Sequence, residues 1–296
     1  MKFYFIGRLF IMNKKTIYFL IPSLVLLIIF IIFPLFWSVI IGFTNQSLRG
    51  ETARHFQFIG IGNYLRMFKD SGFINSVKVS LLFIFFAITG QLIIGLLFAN
   101  LVRIKGIKGK KFISSIFLIP WITPGLAAAF MWKSVFIWQY GWLNTLLSIV
   151  GIGKVNWLFS YPLFSILLVN WSRGMALTFL LIGTGLEAIP FHIYEAAKLD
   201  GVSPFQMLTY IKLPLIKYSI LVALLVNTFG TLSAFEMIFG LTNGGPLGKT
   251  EVFAIFIYNK AFRDLSTGYA GALSFVLLLI SLCIGIFYIR SIKVEN

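Results

Sequence analysis

The segment EAAKLDGVSP at residues 195–204, which leads on to IKLP at residues 211–214, gives the first indication of the architecture. It is polar, in a chain that is otherwise mostly apolar, and its first half consists of good helix formers. Gly201 can take the left-handed conformation that ends a helix, and Ser203 before Pro204 can begin another. The pattern predicts two short helices joined by a turn, with the second ending or kinking at the last proline.

The composition of the whole chain is typical of a membrane protein. Of its 296 residues, 59% are hydrophobic and only 11% are charged, whereas a soluble domain carries roughly 25% charged residues. The formal net charge of +16 does not indicate nucleic acid, because the Lys and Arg residues lie mainly in loops between apolar stretches. We therefore expect contact with membrane lipid and none with nucleic acid.

Residues that could bind a metal or carry out catalysis are scarce. Cys283 lies in an apolar run, and His55 and His192 are far apart without a ligand-like neighbour. The sequence GGPLGKT at 244–250 looks like a phosphate loop, but Asn243 stands where its first glycine should be. No intramembrane enzyme constellation is present. We expect no metal site, no catalytic residue and no cofactor bound by this chain.

Six stretches are apolar and long enough to cross a membrane as helices of about 20 residues. They are residues 17–43, 77–102, 112–137, 163–186, 219–241 and 269–289. The predicted fold is an all-α, polytopic membrane protein with six transmembrane helices. Its expected parts are an N-terminal segment 1–16, a transmembrane region 17–289 that contains a polar loop 187–218, and a tail 290–296.

The distribution of positive charge predicts the orientation. Fourteen Lys and Arg residues fall on the side that would hold both termini and the loop 187–218, against nine on the opposite side. Five of the fourteen cluster at 103–111. Because Lys and Arg collect in cytoplasmic loops, we expect both termini and the loop 187–218 in the cytoplasm. The first outside loop, 44–76, is unusually basic for its side.

The segment at residues 195–214 resembles the EAA motif of the permease subunits of bacterial ABC importers. The resemblance rests on Glu195-Ala196-Ala197, on Gly201 and on Ile211-x-Leu213-Pro214. In that family the loop forms a coupling helix that docks onto a cytoplasmic ATPase. The resemblance implies an ATPase-coupling role for Glu195, Ala196, Ala197, Asp200, Gly201, Ile211, Leu213 and Pro214.

Two outside motifs are similar to those of the first of two permeases in carbohydrate ABC importers of the maltose and glycerol-3-phosphate type. They are LTNGGP at 241–246, and WK at 132–133 with GWLN at 141–144. The resemblance implies a type I importer permease fold in the bacterial cytoplasmic membrane, forming half of a carbohydrate pathway. It also implies three partners: a second homologous permease, a dimer of ATPase subunits that hydrolyse the ATP, and an extracytoplasmic solute-binding protein.

Polar and small residues within two spans predict where the substrate passes, because ionisable and polar groups are costly in lipid. The candidates in the fourth span are Asn170, Arg173, Gly174 and Leu177, and those in the fifth are Asn227, Gly230, Thr231 and Ala234, each set on one helical face. The two faces would form one polar groove. Trp121 and Trp132 could stack on a sugar or anchor the helix at the interface.

Two alternatives stay open at this stage. Arg173 could pair with Glu236 during assembly; Glu236 is itself a candidate for the pathway, expected near the outer end of the fifth span and on the side away from Asn227. The alternative function is an ion-coupled secondary transporter of a small polar solute. Such proteins often place acidic residues at the membrane midplane, and no predicted span has a central Asp, so the pattern favours the importer.

Overall fold

The computed structural model describes residues 14–102 and 109–292. The basic residues Arg103, Lys105 and Lys108, most of the predicted segment 1–16 and the last four residues of the predicted tail lie outside the described ranges. The described part of the chain is helical and holds no β-strand, only an isolated bridge between Thr44 and Phe58. The all-α class is confirmed.

Sixteen α-helices are found in the described ranges and are numbered along the chain. They are α1 Lys14–Leu27, α2 Phe33–Ile41, α3 Gly62–Met67, α4 Ser71–Leu101, α5 Lys110–Ile122, α6 Gly125–Val135, α7 Trp142–Ile149, α8 Trp157–Ser160, α9 Pro162–Glu187, α10 Phe191–Leu199, α11 Pro204–Gln206, α12 Leu213–Leu215, α13 Lys217–Leu232, α14 Phe235–Leu241, α15 Phe253–Tyr258 and α16 Thr267–Ser291. Short π-helical turns occupy Ile28–Ile32, Met207–Lys212 and Asn259–Arg263.

Four helices of the described chain are long and apolar enough to cross a membrane by themselves: Tyr18–Ile41, α4, α9 and α16. Two further pairs meet the same test only together, namely Phe112–Ile122 with α6 and Pro204–Leu215 with α13. These pairs are bent by 102° and 74°. If each pair counts as one span, the total is six by length and composition.

The break between α5 and α6 has a local cause. Thr123 precedes Pro124 and has an extended backbone with ψ 126°, as a residue before proline prefers. The predicted stretch 112–137 is therefore two helices. A second break follows α13, because the backbone leaves the helical conformation at Ser233 and Ala234 before α14 begins. Glu236 consequently lies on a separate short helix, not on the far side of one continuous fifth helix.

The described chain forms two compact units. The first unit is the segment ending at Met67 together with Lys260–Val276. Within it the backbone of Gly42 lies against α16, and a side chain added at Gly42 would put its Cβ 2.8 Å from the nitrogen of Ala272. The buried amide of Asn63 donates to the carbonyls of Gly42 (2.9 Å) and Thr44 (2.8 Å). Gly42 therefore lets the first span lie close to α16, and Asn63 joins α3 to the end of that span.

The second unit comprises Phe68–Asn259 and the segment from Leu277 onward. Its centre is the pair α4 and α9, which approach closely because each presents glycine to the other. A Cβ on Gly95 of α4 would stand 2.5 Å from the Cβ of Thr178 on α9. Gly174 of α9 likewise has the side chain of Gln91 over it. Close helix contact through small residues is a common packing device in membranes, where the hydrophobic effect does not drive helix association.

Candidate functional site

The polar loop after α9 folds as two short helices around a tight turn. Gly201 has φ +69°, the left-handed conformation predicted from sequence, and its N–H donates to the carbonyl of Lys198 (3.2 Å). The N–H of Val202 donates to the carbonyl of Ala197 (3.1 Å). Both bonds satisfy carbonyls that the end of α10 would otherwise leave unpaired. The turn thus needs a residue that tolerates positive φ.

The helix that follows begins with a capping box. Ser203 Oγ accepts from the N–H of Gln206 (3.3 Å), and Gln206 Oε1 accepts from the N–H of Ser203 (2.9 Å). The predicted cap at Ser203 is confirmed. The Ser-x-x-Gln spacing also indicates the return bond from the Ser203 N–H to Gln206, which the sequence analysis did not include. The predicted kink at Leu213–Pro214 occurs slightly later, since the helical path turns by 74° between Leu215 and Lys217.

The loop presents apolar side chains on its outer surface. Leu199 is 90% exposed, Phe205 72% and Tyr210 76%. Of the motif residues, Glu195, Ala196, Asp200, Gly201 and Pro214 are exposed, Ile211 and Leu213 are half-buried, and Ala197 is buried. Large apolar groups on a polar loop are typical of a surface that meets a protein partner.

The root of the loop is tied to the ends of α4 and α9. Lys212, the last residue of a π-helical turn, donates from Nζ to Oδ1 of Asn100 in the last turn of α4 (2.8 Å). Its Nζ also lies 6.0 Å from the ring centre of Tyr194 in α10. Ile216, which is buried, packs in one cluster with Ile182 of α9 and Ala99 of α4. The root of the loop therefore contacts two membrane helices directly.

The predicted polar face of α9 is used mainly for packing. Asn170 is buried and its side-chain oxygen accepts a hydrogen bond from Gln91 of α4, Gly174 lies under Gln91, and Leu177 is buried. Gln91 of α4 therefore covers Asn170 and Gly174 on this face, whereas Arg173 points to the bend between α5 and α6. This differs from the open groove that we expected.

The candidate residues of the fifth span differ from one another in burial and in hydrogen-bond partners. The amide of Asn227 in α13 donates to Thr178 Oγ1 of α9 (2.6 Å), so it joins two helices. Thr231 is buried and its hydroxyl has no partner, whereas Gly230 is exposed with open space around its Cα. Ala234 lies beyond the end of α13 and is buried in the core. Of this set, Asn227 is the residue for which a hydrogen bond to α9 is found in the described chain.

Arg173 and Glu236 come together at the bend between α5 and α6. A Cβ built on Gly125 would be 3.3 Å from Glu236 Oε2 and 3.5 Å from Arg173 Nη1, so both charged groups border the same point. Arg173 Nε is buried without an acceptor. In the part of the chain that the structure describes, these two side chains make no direct ion pair.

A cavity of about 170 Å³ adjoins Arg173, whereas Glu236 is exposed and is not part of its lining. Arg173 and Ser172 of α9 line one side, and Thr123, Met131 and Trp132 from the bent pair α5–α6 line the other. Trp132 is half-buried there, with its ring centre 5.4 Å from that of Phe136, while Trp121 is 46% exposed. Sequence reasoning missed Gly125 and Thr123, although Thr-Pro-Gly inside an apolar stretch signals a break.

Comparison with known proteins finds one matching family model and similar curated relatives. The family model described as "Binding-protein-dependent transport system inner membrane component" matches residues 91–292. The trehalose/maltose transport system permease protein MalF of Thermococcus litoralis is 35% identical, over 88% of this chain and 88% of its own length. The multiple sugar-binding transport system permease protein MsmF of Streptococcus mutans is 34% identical, over 94% of both chains.

A solved structure shares the fold. It is a bacterial alginate ABC transporter in complex with a periplasmic protein that holds an alginate pentasaccharide. One of its chains matches with a TM-score of 0.79 at 21% identity, covering 95% of this chain and 96% of that one. The predicted type I permease fold is confirmed.

Proposed function

Because the chain belongs to the family of inner membrane components of binding-protein-dependent transport systems, we propose that it is the permease subunit of an ATP-driven importer for a carbohydrate. The chain is a transport component rather than an enzyme. The proposed substrate class rests on relatives at 35% and 34% identity whose names are those of sugar transport systems. Ion-coupled secondary transport is not favoured.

The ATP is proposed to be hydrolysed on separate cytoplasmic subunits, and this chain is proposed to bind no cofactor. Loop 187–218 is the surface that would contact them. Leu199 and Phe205, on either side of the Gly201 turn, are the exposed apolar groups suited to enter a cleft on the ATPase. Closure of the ATPase dimer would then move the loop and, through its root, α4 and α9. Such a change is a population shift driven by contacts that differ between two states.

The remaining partners follow from the same proposal. A second, homologous permease would supply the other half of the pathway, and a solute-binding protein would deliver the carbohydrate from outside. We propose that both termini lie in the cytoplasm, as the charge distribution predicts. The first span, Tyr18–Ile41, buries none of its apolar window inside the chain, which suits contact with lipid or with the second permease.

The test is co-purification of the tagged chain with its co-expressed partner subunits, in mild detergent. The double variant Leu199→Ser with Phe205→Ser should lose at least tenfold of the associated ATPase, because two exposed apolar anchors are removed. Phe262→Ser is the matched control: Phe262 is 65% exposed but lies outside loop 187–218, and it should retain wild-type association. Wild-type chain that purifies with no ATPase would refute the proposal.

A further inference from the structure

A long groove between α4 and α9, within the second unit, has no role in the proposed function. Its walls are the first halves of the two helices, and its volume is about 610 Å³. Binding sites for small molecules measure roughly 300–1,000 Å³. Trp171 lines the groove, and a helix turns by roughly 200° over two residues, so the groove lies on the side of α9 opposite Arg173. It is therefore separate from the cavity beside Arg173.

The groove closes where α4 and α9 come into tight contact. The indole of Trp171 lies over Gly90, where the missing side chain leaves room for it, and its Nε1 donates to the carbonyl of Phe86 (2.9 Å). The ring of Phe164 meets that of Trp171 edge-on, with ring centres 6.0 Å apart. This end of the groove is therefore apolar, and it lies within the predicted second and fourth spans.

The opposite end is polar and lies just before the same two spans begin. Asn75, Tyr161 and Lys249 line it. The amide of Asn75 donates to the carbonyl of Gly248 (3.0 Å), which holds the loop that carries Lys249 against the start of α4. In the described chain, Lys249 is the only charged residue of the lining; it is exposed, and its ammonium group makes no hydrogen bond or ion pair. A cation is therefore available for a negatively charged group.

The length and polarity of the groove match one leaflet of a membrane. From Asn75 to Phe86 the axis of α4 rises by about 16 Å, and half of the hydrocarbon core of a bilayer is about 15 Å. Tyrosine and lysine, as at the polar end, favour the level of the lipid headgroups. A phospholipid in the groove would place its phosphate beside Lys249, whereas an apolar helix of another subunit would leave this cation unpaired.

We propose that the groove binds one anionic phospholipid, with its phosphate at Lys249 and Tyr161 and an acyl chain along Leu82 and Phe86 as far as Trp171. The ammonium group attracts the phosphate, and the tyrosine hydroxyl donates a hydrogen bond to it. In the proposed orientation the lipid belongs to the outer leaflet. Lys249→Gln should weaken the binding of an anionic lipid about fivefold, which is the contribution of one lysine near an anionic lipid surface.

The experiment is photo-crosslinking of the complete transporter in phosphatidylcholine nanodiscs that contain a trace of a phospholipid with a diazirine on its acyl chain. Peptide mass spectrometry then locates the label. A phosphatidylglycerol probe should label residues 79–86 and 162–171 about fivefold more than a phosphatidylcholine probe with the same chains. Lys249→Gln should abolish that difference. Lys69→Gln, which removes an exposed lysine outside the groove, should retain it.

A second pair of variants tests the apolar part of the groove. Leu82→Trp fills the groove and should lower the labelling of residues 162–171 by both probes. Leu97→Trp is the matched control, because Leu97 also lies on α4 and is similarly exposed (55% against 50%) but does not line the groove. It should leave the labelling unchanged.

Three results would overturn the inference. They are equal labelling by the two probes in wild type, an unchanged difference in Lys249→Gln, and unchanged labelling in Leu82→Trp. Labelling of the groove in the isolated chain that disappears in the complete transporter would overturn it too, because a second subunit would then occupy the groove. Each result would leave the proposed carbohydrate importer standing, since the test of that proposal is the recovery of the ATPase.

Discussion

The turn at Gly201 offers a perturbation whose size can be worked out from the backbone. Gly201 has φ +69°, and nothing lies within 4 Å of the position that a Cβ would occupy. Gly201→Ala therefore adds no clash, and its cost is that of the left-handed conformation, about 1–2 kcal/mol. That free energy corresponds to a roughly 5- to 30-fold smaller population of the closed turn.

The functional consequence follows from the position of the turn. It sets the placement of Leu199 relative to Phe205, the two apolar groups proposed to contact the ATPase. We expect Gly201→Ala to lower the ATPase recovered per permease by up to the same 5- to 30-fold, measured by quantitative mass spectrometry of the purified complex. Gly201→Asn should retain most of it, because asparagine tolerates positive φ better.

Gly151 provides a matched control. It also has positive φ (+77°) with nothing within 4 Å, but it lies in the loop between α7 and α8. Gly151→Ala carries the same backbone cost and should leave ATPase recovery unchanged. Wild-type recovery in Gly201→Ala, or an equal loss in Gly151→Ala, would refute the reasoning.

Two further changes test the packing and the root of the loop. Gly95→Ala should lower the thermal stability of the purified chain, because the new Cβ would stand 2.5 Å from the Cβ of Thr178. Gly230→Ala, in open space on α13, should raise the free energy of unfolding by up to about 1 kcal/mol, because alanine favours the helix more than glycine does. In a fluorescence-based melting assay, the melting temperature should fall for Gly95→Ala and rise for Gly230→Ala. Equal changes in melting temperature for the two variants would contradict the packing argument. Lys212→Met removes the bond to Asn100 but keeps the apolar stem, so ATPase should still co-purify while uptake per ATP hydrolysed falls several-fold in proteoliposomes; an unchanged ratio would contradict the proposed connection.

Features that depend on neighbours in sequence were predicted well. The apolar stretches predicted the membrane helices because about 20 apolar residues suffice to cross lipid wherever they occur. The turn at Gly201 and the cap at Ser203 were predicted because both depend on a few adjacent residues. Periodicity failed at the fifth span, where Ser233 and Ala234 leave the helix and place Glu236 on a separate element.

The all-α membrane class, the resemblance to importer permeases and the local shape of loop 187–218 could all be predicted from the amino-acid sequence. Which side chains contact one another became known only from the packing of the helices. Periodicity places Asn170 on a face of α9 but cannot say that α4 covers it, and it cannot bring Lys212 to Asn100, 112 residues away. The approach of Arg173 and Glu236 to the same point beside Gly125 likewise involves three separate helices. Such contacts arise from how helices pack, and in lipid that packing depends on shape and small residues more than on the hydrophobic pattern.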